Sequence, residues 1–256
     1  MCLQLSLAAP AAPAALAALA ALAALFPSCH SLFLAPMTHP VPPKLASLYP
    51  TRAAAGVLLG RELAARRHVG CILLGLTPDG VEIASHTAKA TGAQFDVLVA
   101  DFIKLGSSAA PIGAIAESAP TEMDPDFQPT MTLLDELTAA IDESRARISR
   151  DIMLYRTQRP VKKVAGKVAV IVDGHVVHPW KVLAAAKAAE QLGANQVVIA
   201  TPVASQAAAD RIRTRRYELV CPSVVAGARG HPSPYGDMAG QTPERLRSIM
   251  IAQQGG

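Results

Sequence analysis

The stretch "DGHVVHPWK", Asp173 to Lys181, places a carboxylate, two imidazoles and an ammonium within nine residues. It lies between the apolar run "VAVIV" and a run of helix formers, "PWKVLAAAKAAEQLG". A turn joining the carboxyl end of a strand to a helix is a natural phosphate cradle, because backbone N–H groups and the helix dipole both face the anion. The residue types fit that role poorly. Pro179 has no N–H to give, Trp180 adds bulk, and only Lys181 offers a cation. A second chemistry is metal binding by Asp173, His175 and His178, although their spacing matches no familiar zinc motif. The plainest reading is two exposed loop histidines and a solvated lysine. The residues by themselves leave these readings open.

A second strand-to-helix turn, "LTPDGV", carries Thr77, Pro78, Asp79 and Gly80. Asp79 would repel a polyphosphate there, at a cost on the order of a few kcal/mol in a partly desolvated site. No Ser-His-Asp or Cys-His arrangement follows from spacing, so no catalytic residue is assigned. The four cysteines show no CxxC or metal-ligand spacing and are read as small apolar residues.

The elements that position these turns alternate. "RAAAGVLLGRELAARR", "VEIASHTAKATG" and "MTLLDELTAAIDESRARISRDIMLYR" read as helices, as do "PWKVLAAAKAAEQLG" and "ASQAAADRIRTRR". Between them "VGCILLGL", "FDVLVA", "VAVIVD", "QVVIATP" and "YELVC" read as strands. Alternation of this kind implies an α/β fold with a parallel central sheet and helices on both faces, with ligands at the carboxyl edge. The four runs "VGCILLGL", "FDVLV", "VAVIV" and "QVVIA" are apolar on both faces and are expected at the centre of the sheet. The Pro-, Ser- and Gly-rich region from Asp101 to Thr130 reads as a loop or small flap, with "IGAIAE" as a short strand.

At 256 residues the chain has room for one large domain. Residues 1–44 are an Ala/Pro-rich low-complexity extension and linker, with no charged residue before Lys44, and are expected to add little packing. Residues 45–256 form the folded domain. The extension lacks the basic start of a secretory signal and is too Ala-rich and interrupted for a firm membrane span. The formal net charge of +4 suits an anionic small ligand but is too small and scattered for nucleic acid.

Taken in order, "AAAGVLLGRELA", "ILLGLTPDGVEIA", "FDVLV", "IGAIAE", "YRTQRP", "GKVAVIVD", "VVIATPVA" and "YGDMAGQTPERL" resemble the phosphoribosyltransferase family of the type I fold, which is Rossmann-like. The resemblance covers roughly Leu45 to Ile251. It implies transfer of ribose 5-phosphate from phosphoribosyl pyrophosphate to a nitrogenous base, with Mg2+, in the cytoplasm. It admits a homodimer and no nucleic-acid or membrane partner. By family position the substrate-binding residues are Asp173, Gly174, His175, His178, Lys181, Thr77, Asp79 and Gly80.

The chain departs from the family where that chemistry sits. Gly174 stands where active members have a second acid, and His178-Pro179-Trp180-Lys181 stand for Thr-Gly-x-Thr. The turn at Thr77–Gly80 lacks the family's arginine, and Asp101-Phe102 replace an Arg-Lys pair. The expectation is an activity weakened or lost, the alternative being a non-catalytic nucleotide or sugar-phosphate binding module. The turn "DGHVVHPWK" is expected to face "LTPDG" across a shallow pocket. Restoring Gly174→Asp, Pro179→Gly, Trp180→Ala and Lys181→Thr together is expected to strengthen phosphoribosyl pyrophosphate binding. Nothing in the sequence names the acceptor base.

Overall fold

A computed structural model describes residues 47–252 except 69, 77, 109, 157–160, 227–232 and 238–241. The low-complexity extension and its boundary therefore lie outside the described residues. Five strands, β1 (Ile72–Leu76), β2 (Gln94–Leu98), β6 (Val168–Val172), β8 (Gln196–Ala200) and β10 (Glu218–Val220), form a parallel sheet in the order β10-β8-β6-β1-β2. Alternation along each strand splits its side chains between two cores. Leu73, Val170, Val172 and Val198 face one, while Ile72, Leu74, Ile171 and Ile199 face the other. Burying one such side chain fully contributes about 1.5–3 kcal/mol as an upper bound. The sheet is therefore the stable platform for what stands at its edge.

Helices cover both faces. On the first lie α1 (Arg52–Ala65) and α2 (Asp79–Thr91), with Leu59, Leu63, Val81 and Ile83 in the core. α3 (Leu134–Arg156) adds Ala140, Ile148 and Tyr155 to the same core. On the second face lie α4 (Trp180–Gln191) and α5 (Gln206–Thr214), with the alanines of α4, Ala208, Ala209, Val182, Leu183 and Ile212 almost fully buried. A last helix, α6 (Pro243–Ala252), returns Leu246 and Met250 to the first core. No helix among the described residues is long and apolar enough to cross a membrane.

Two features differ from the expectations. β1, β6 and β8 are internal, but "FDVLV" (β2) is an edge strand, although four of its five residues are buried. Apolarity reports cover, not the number of neighbours. The carboxylate of Asp96 accepts the backbone N–H of Lys162 at 2.7 Å, tying that segment to the edge strand. The flap, in turn, is more ordered than a loop. It is an antiparallel sheet of β3 (Ala100–Ile103), β4 (Gly113–Ala116) and β5 (Glu122–Met123), in the order β3-β4-β5.

At the carboxyl edge three strands break and resume. After Asp173-Gly174, Thr201-Pro202 and Cys221-Pro222 come β7 (His175–Val176), β9 (Val203–Ser205) and β11 (Ser223–Val225), paired in parallel as β11-β9-β7. Proline cannot donate to the ladder, which accounts for the break in two of the three strands. The turn of interest is thus not a free loop, because β7 anchors its first half to the neighbouring strand.

Candidate functional site

The two turns read from the sequence meet at the ends of β1 and β6, which are neighbours in the sheet. Gly80 opens α2 so close to β6 that a Cβ there would lie 2.2 Å from the carbonyl oxygen of Val172. A Cβ on Gly174 would lie 2.4 Å from Cβ of Asp79. The Asp79 side chain thus occupies the space that a side chain at 174 would need. Thr77 lies outside the described residues.

Asp79 is held there by Arg52. This guanidinium is 7% exposed, and its Nε donates to Asp79 Oδ1 at 2.9 Å. Its Nη1 donates to the Asp237 carbonyl at 3.0 Å and to Asp237 Oδ1 at 3.2 Å, while the Arg52 backbone N–H reaches Asp237 Oδ2 at 3.3 Å. Glu82 Oε2 lies 3.9 Å from Nε, and Glu82 is also paired with Arg245 at 2.5 Å. A buried cation is costly unless it is paired and hydrogen-bonded, and this one is met from several sides. The Tyr235 ring lies 5.1 Å from the guanidinium, and its hydroxyl donates to the carbonyl of Gly174. Burial, with Asp79 and Asp173 nearby, pushes the Tyr235 phenol far above its usual range.

Asp173 lies buried at the end of β6. Its Oδ1 accepts the N–H of Gly174 at 2.7 Å, and its Oδ2 lies 3.6 Å from Lys181 Nζ. Burial raises its pKa, against the pull of Lys181 and the Gly174 N–H. Lys181 is not a solvated surface residue: it lies 5.3 Å from the ring centre of Phe102 in the flap. His178 meets the same ring edge-on at 6.4 Å. His175 lies in β7, half-buried. Among the described residues no group of three His, Cys, Asp or Glu side chains is placed to hold a metal ion.

Trp180 is buried in the second core with Arg211 5.7 Å from its ring centre, and Arg211 pairs with Asp126 of the flap at 2.9 Å. On this side, between flap and α5, is a cavity of about 460 Å³ whose lining includes His178, Pro179, Trp180, Ser205 and Arg211. Ser205 caps α5 by accepting the Ala208 N–H at 3.1 Å and donates to the Val177 carbonyl at 2.9 Å.

No family profile matches the chain. Over 178 residues, 68% of the chain, it is 30% identical to proteins of two Mycobacterium tuberculosis strains that carry the name phosphoribosyl transferase. The chain belongs to the phosphoribosyltransferase family. It spans about 40% of the length of the curated relatives it matches. The crystal structure of TT1426 from Thermus thermophilus superposes with a TM-score of 0.65 at 26% identity, covering 80% of this chain and 98% of that one. A purine phosphoribosyltransferase from Pyrococcus horikoshii aligns at 13% identity over 68% of this chain and 81% of its own, with a TM-score of 0.38. The parallel sheet with helices on both faces is the phosphoribosyltransferase type I fold.

Of the residues named from sequence, the structure gathers Asp79, Gly80, Asp173, Gly174 and Lys181 at one point of the sheet edge. His178 faces the flap and the cavity beyond. Sequence reasoning missed Arg52, Tyr235 and Asp237. One signal for Arg52 was available. The buried positions of α1 run 52, 55, 56, 59, 60 and 63, so a charged residue heads an otherwise apolar stripe.

Proposed function

We propose that this phosphoribosyltransferase-family chain has lost, or keeps only weakly, the transfer of ribose 5-phosphate from phosphoribosyl pyrophosphate to a nitrogenous base. The observation that carries this reading is the contact between Asp79 and Gly174. In the family chemistry the leaving pyrophosphate and the ribose hydroxyls need room and donors between the first and third strand-to-helix turns. Here Asp79 packs against Gly174, and Arg52 is already engaged with Asp79 and Asp237. Such catalysis acts by stabilising charge as pyrophosphate departs, so the loss falls directly on the reaction.

Mg2+ is implied by the family, and the donor set at this edge does not fit it. A hard cation wants ionised, hydrated oxygens. Asp173 is buried, hydrogen-bonded to its own turn, biased toward protonation and next to an ammonium.

The second reading, a non-catalytic module for a nucleotide or sugar phosphate, is favoured by the cavity beside His178, Trp180 and Arg211. Its size is within the range of small-molecule sites. A phosphorylated small molecule is the proposed partner class, a homodimer the proposed assembly and the cytoplasm the proposed location.

Calorimetric titration with phosphoribosyl pyrophosphate and Mg2+ tests the main reading. The expected Kd is high micromolar or weaker, roughly 3 kcal/mol or more short of a tight site, with no pyrophosphate released when bases are added. Tight Mg2+-dependent binding, or turnover, would overturn it.

A further inference from the structure

Between the flap and α3 runs an open groove of about 620 Å³, lined by none of the residues placed at the two turns. From α3 it is lined by Arg145, Ile148, Ser149 and Ile152, the i, i+3, i+4 and i+7 positions of one helix face. From the flap it is lined by the turn that follows β4. There the Ala119 N–H donates to the Ala116 carbonyl at 3.2 Å, closing a β-turn with Ser118 in third place. Ser118 has a φ of +58°. That position favours glycine or asparagine, so a serine is strained there. The turn beneath it is pinned. Glu117 accepts the Val99 N–H at 2.9 Å, donates its own N–H to the Val99 carbonyl at 2.9 Å and is paired with the buried Arg156. Strained residues held by such surroundings cluster at ligand sites, and this one brings an exposed hydroxyl to the groove.

We infer that this groove is a binding site for a small molecule with an apolar body and a single carboxylate head. Its floor is apolar: Ile152 is half-buried there, with the core residues Ile115 and Ile148. Its rim is rich in donors. Among the described residues the side chains of Ser118, Ser149 and Gln191 have no partner within the protein. The one lining carboxylate, Glu117, is already taken up by Val99 and Arg156. The one lining cation, Arg145, is 60% exposed and meets Asp142, itself 65% exposed, at 3.0 Å. So exposed a pair contributes little, and an incoming carboxylate can take the guanidinium, whose planar fork matches it. A single cation above an apolar floor selects a monoanion with a carbon body. The volume is within the range of small-molecule sites. The site is independent of the transfer reaction considered above.

The test titrates the full chain with octanoate by calorimetry, using n-octylammonium to probe the head and acetate to probe the body. Octanoate is expected to bind at least tenfold tighter than either. Ser118→Ala and Arg145→Gln should each weaken octanoate at least fivefold. Arg150→Gln, which removes an exposed cation of α3 outside the groove, should not. Ser118→Gly separates a ligand role from a structural one, because glycine relieves the positive φ. Its Tm should rise while its octanoate affinity falls. All the substituted side chains are exposed, so the variants keep the fold. Bound octanoate should slow amide exchange at residues 116–119 and 145–152. Octanoate binding no tighter than octylammonium, unchanged affinity in the Ser118 or Arg145 variants, or protection that falls elsewhere in the chain would each overturn the site.

Discussion

Gly174→Ala should destabilise the protein, and the reason is a single contact. An alanine Cβ would sit 2.4 Å from Asp79 Cβ, whereas carbon atoms rest at about 3.5–4.0 Å. The shortfall is thus at least about 1.1 Å. The obstructing atom is a Cβ rather than the tip of a flexible side chain, so the turn itself must move. That motion stretches the Arg52–Asp79 pair from its 2.9 Å. Gly174 is not among the residues with positive φ, so no backbone preference contributes. Overpacking costs typically 1–3 kcal/mol, and a strained, partly buried ion pair adds to it, giving about 2–3 kcal/mol. For a domain of this size that lowers Tm by roughly 4–12 °C. Urea denaturation followed by circular dichroism measures it. Asp79→Gly removes the obstructing Cβ, so a double-mutant cycle should return about 1–2 kcal/mol of favourable coupling. A Gly174→Ala protein within about 0.5 kcal/mol of the parent, or a cycle without coupling, would refute the reasoning. The same geometry revises the fourfold restoration expected from sequence: Gly174→Asp cannot be accommodated until residue 79 is also made small.

Two further outcomes follow from buried charge. Asp173 has its pKa raised chiefly by burial, so the folded state retains a proton that the unfolded chain has already released. Stability should therefore fall as pH rises from the ordinary carboxylate range through the raised value. Asp173→Asn should flatten that part of the urea-midpoint profile, and parallel profiles would contradict it. Glu122, 2% exposed at the side chain, ties the flap to Lys187 and to Arg215, the latter at 2.6 Å. Glu122→Gln should cost about 1–2 kcal/mol, discounted because both cations are about one-third exposed. Equal denaturation midpoints for the two proteins would rule that out.

The sheet was legible because "ILLGL", "VAVIV" and "QVVIA" are buried on both faces, and such runs have few other uses. The strand "FDVLV" misled because its apolar residues resemble theirs. The informative residue was Asp96, a carboxylate amid an apolar run, which binds a backbone N–H of another segment. The flap strands were mostly illegible: β5 is two residues long and is held by β4 and by the ion pairs of Glu122 rather than by its own pattern. Both turns were found from sequence, yet the packing of Asp79 against Gly174 was not. It depends on Arg52 meeting partners 27 and 185 residues away, and no local periodicity encodes such a meeting. Position 174 was read as a missing acid, and only the fold shows that Cβ of Asp79 fills the space a side chain there would need.

The 185-residue separation of Arg52 from Asp237 also sets an order of events while the chain is being made. At about 5–20 residues per second, roughly 10–40 s pass between the synthesis of the arginine and that of its carboxylate partner. During that interval α1, α2 and the two turns can all be present on the ribosome without their last clasp. The nascent domain then carries Arg52 with Asp79 and Glu82 but without the carboxylate of Asp237. Any anion in the surrounding solution meets a different molecule before release than after it.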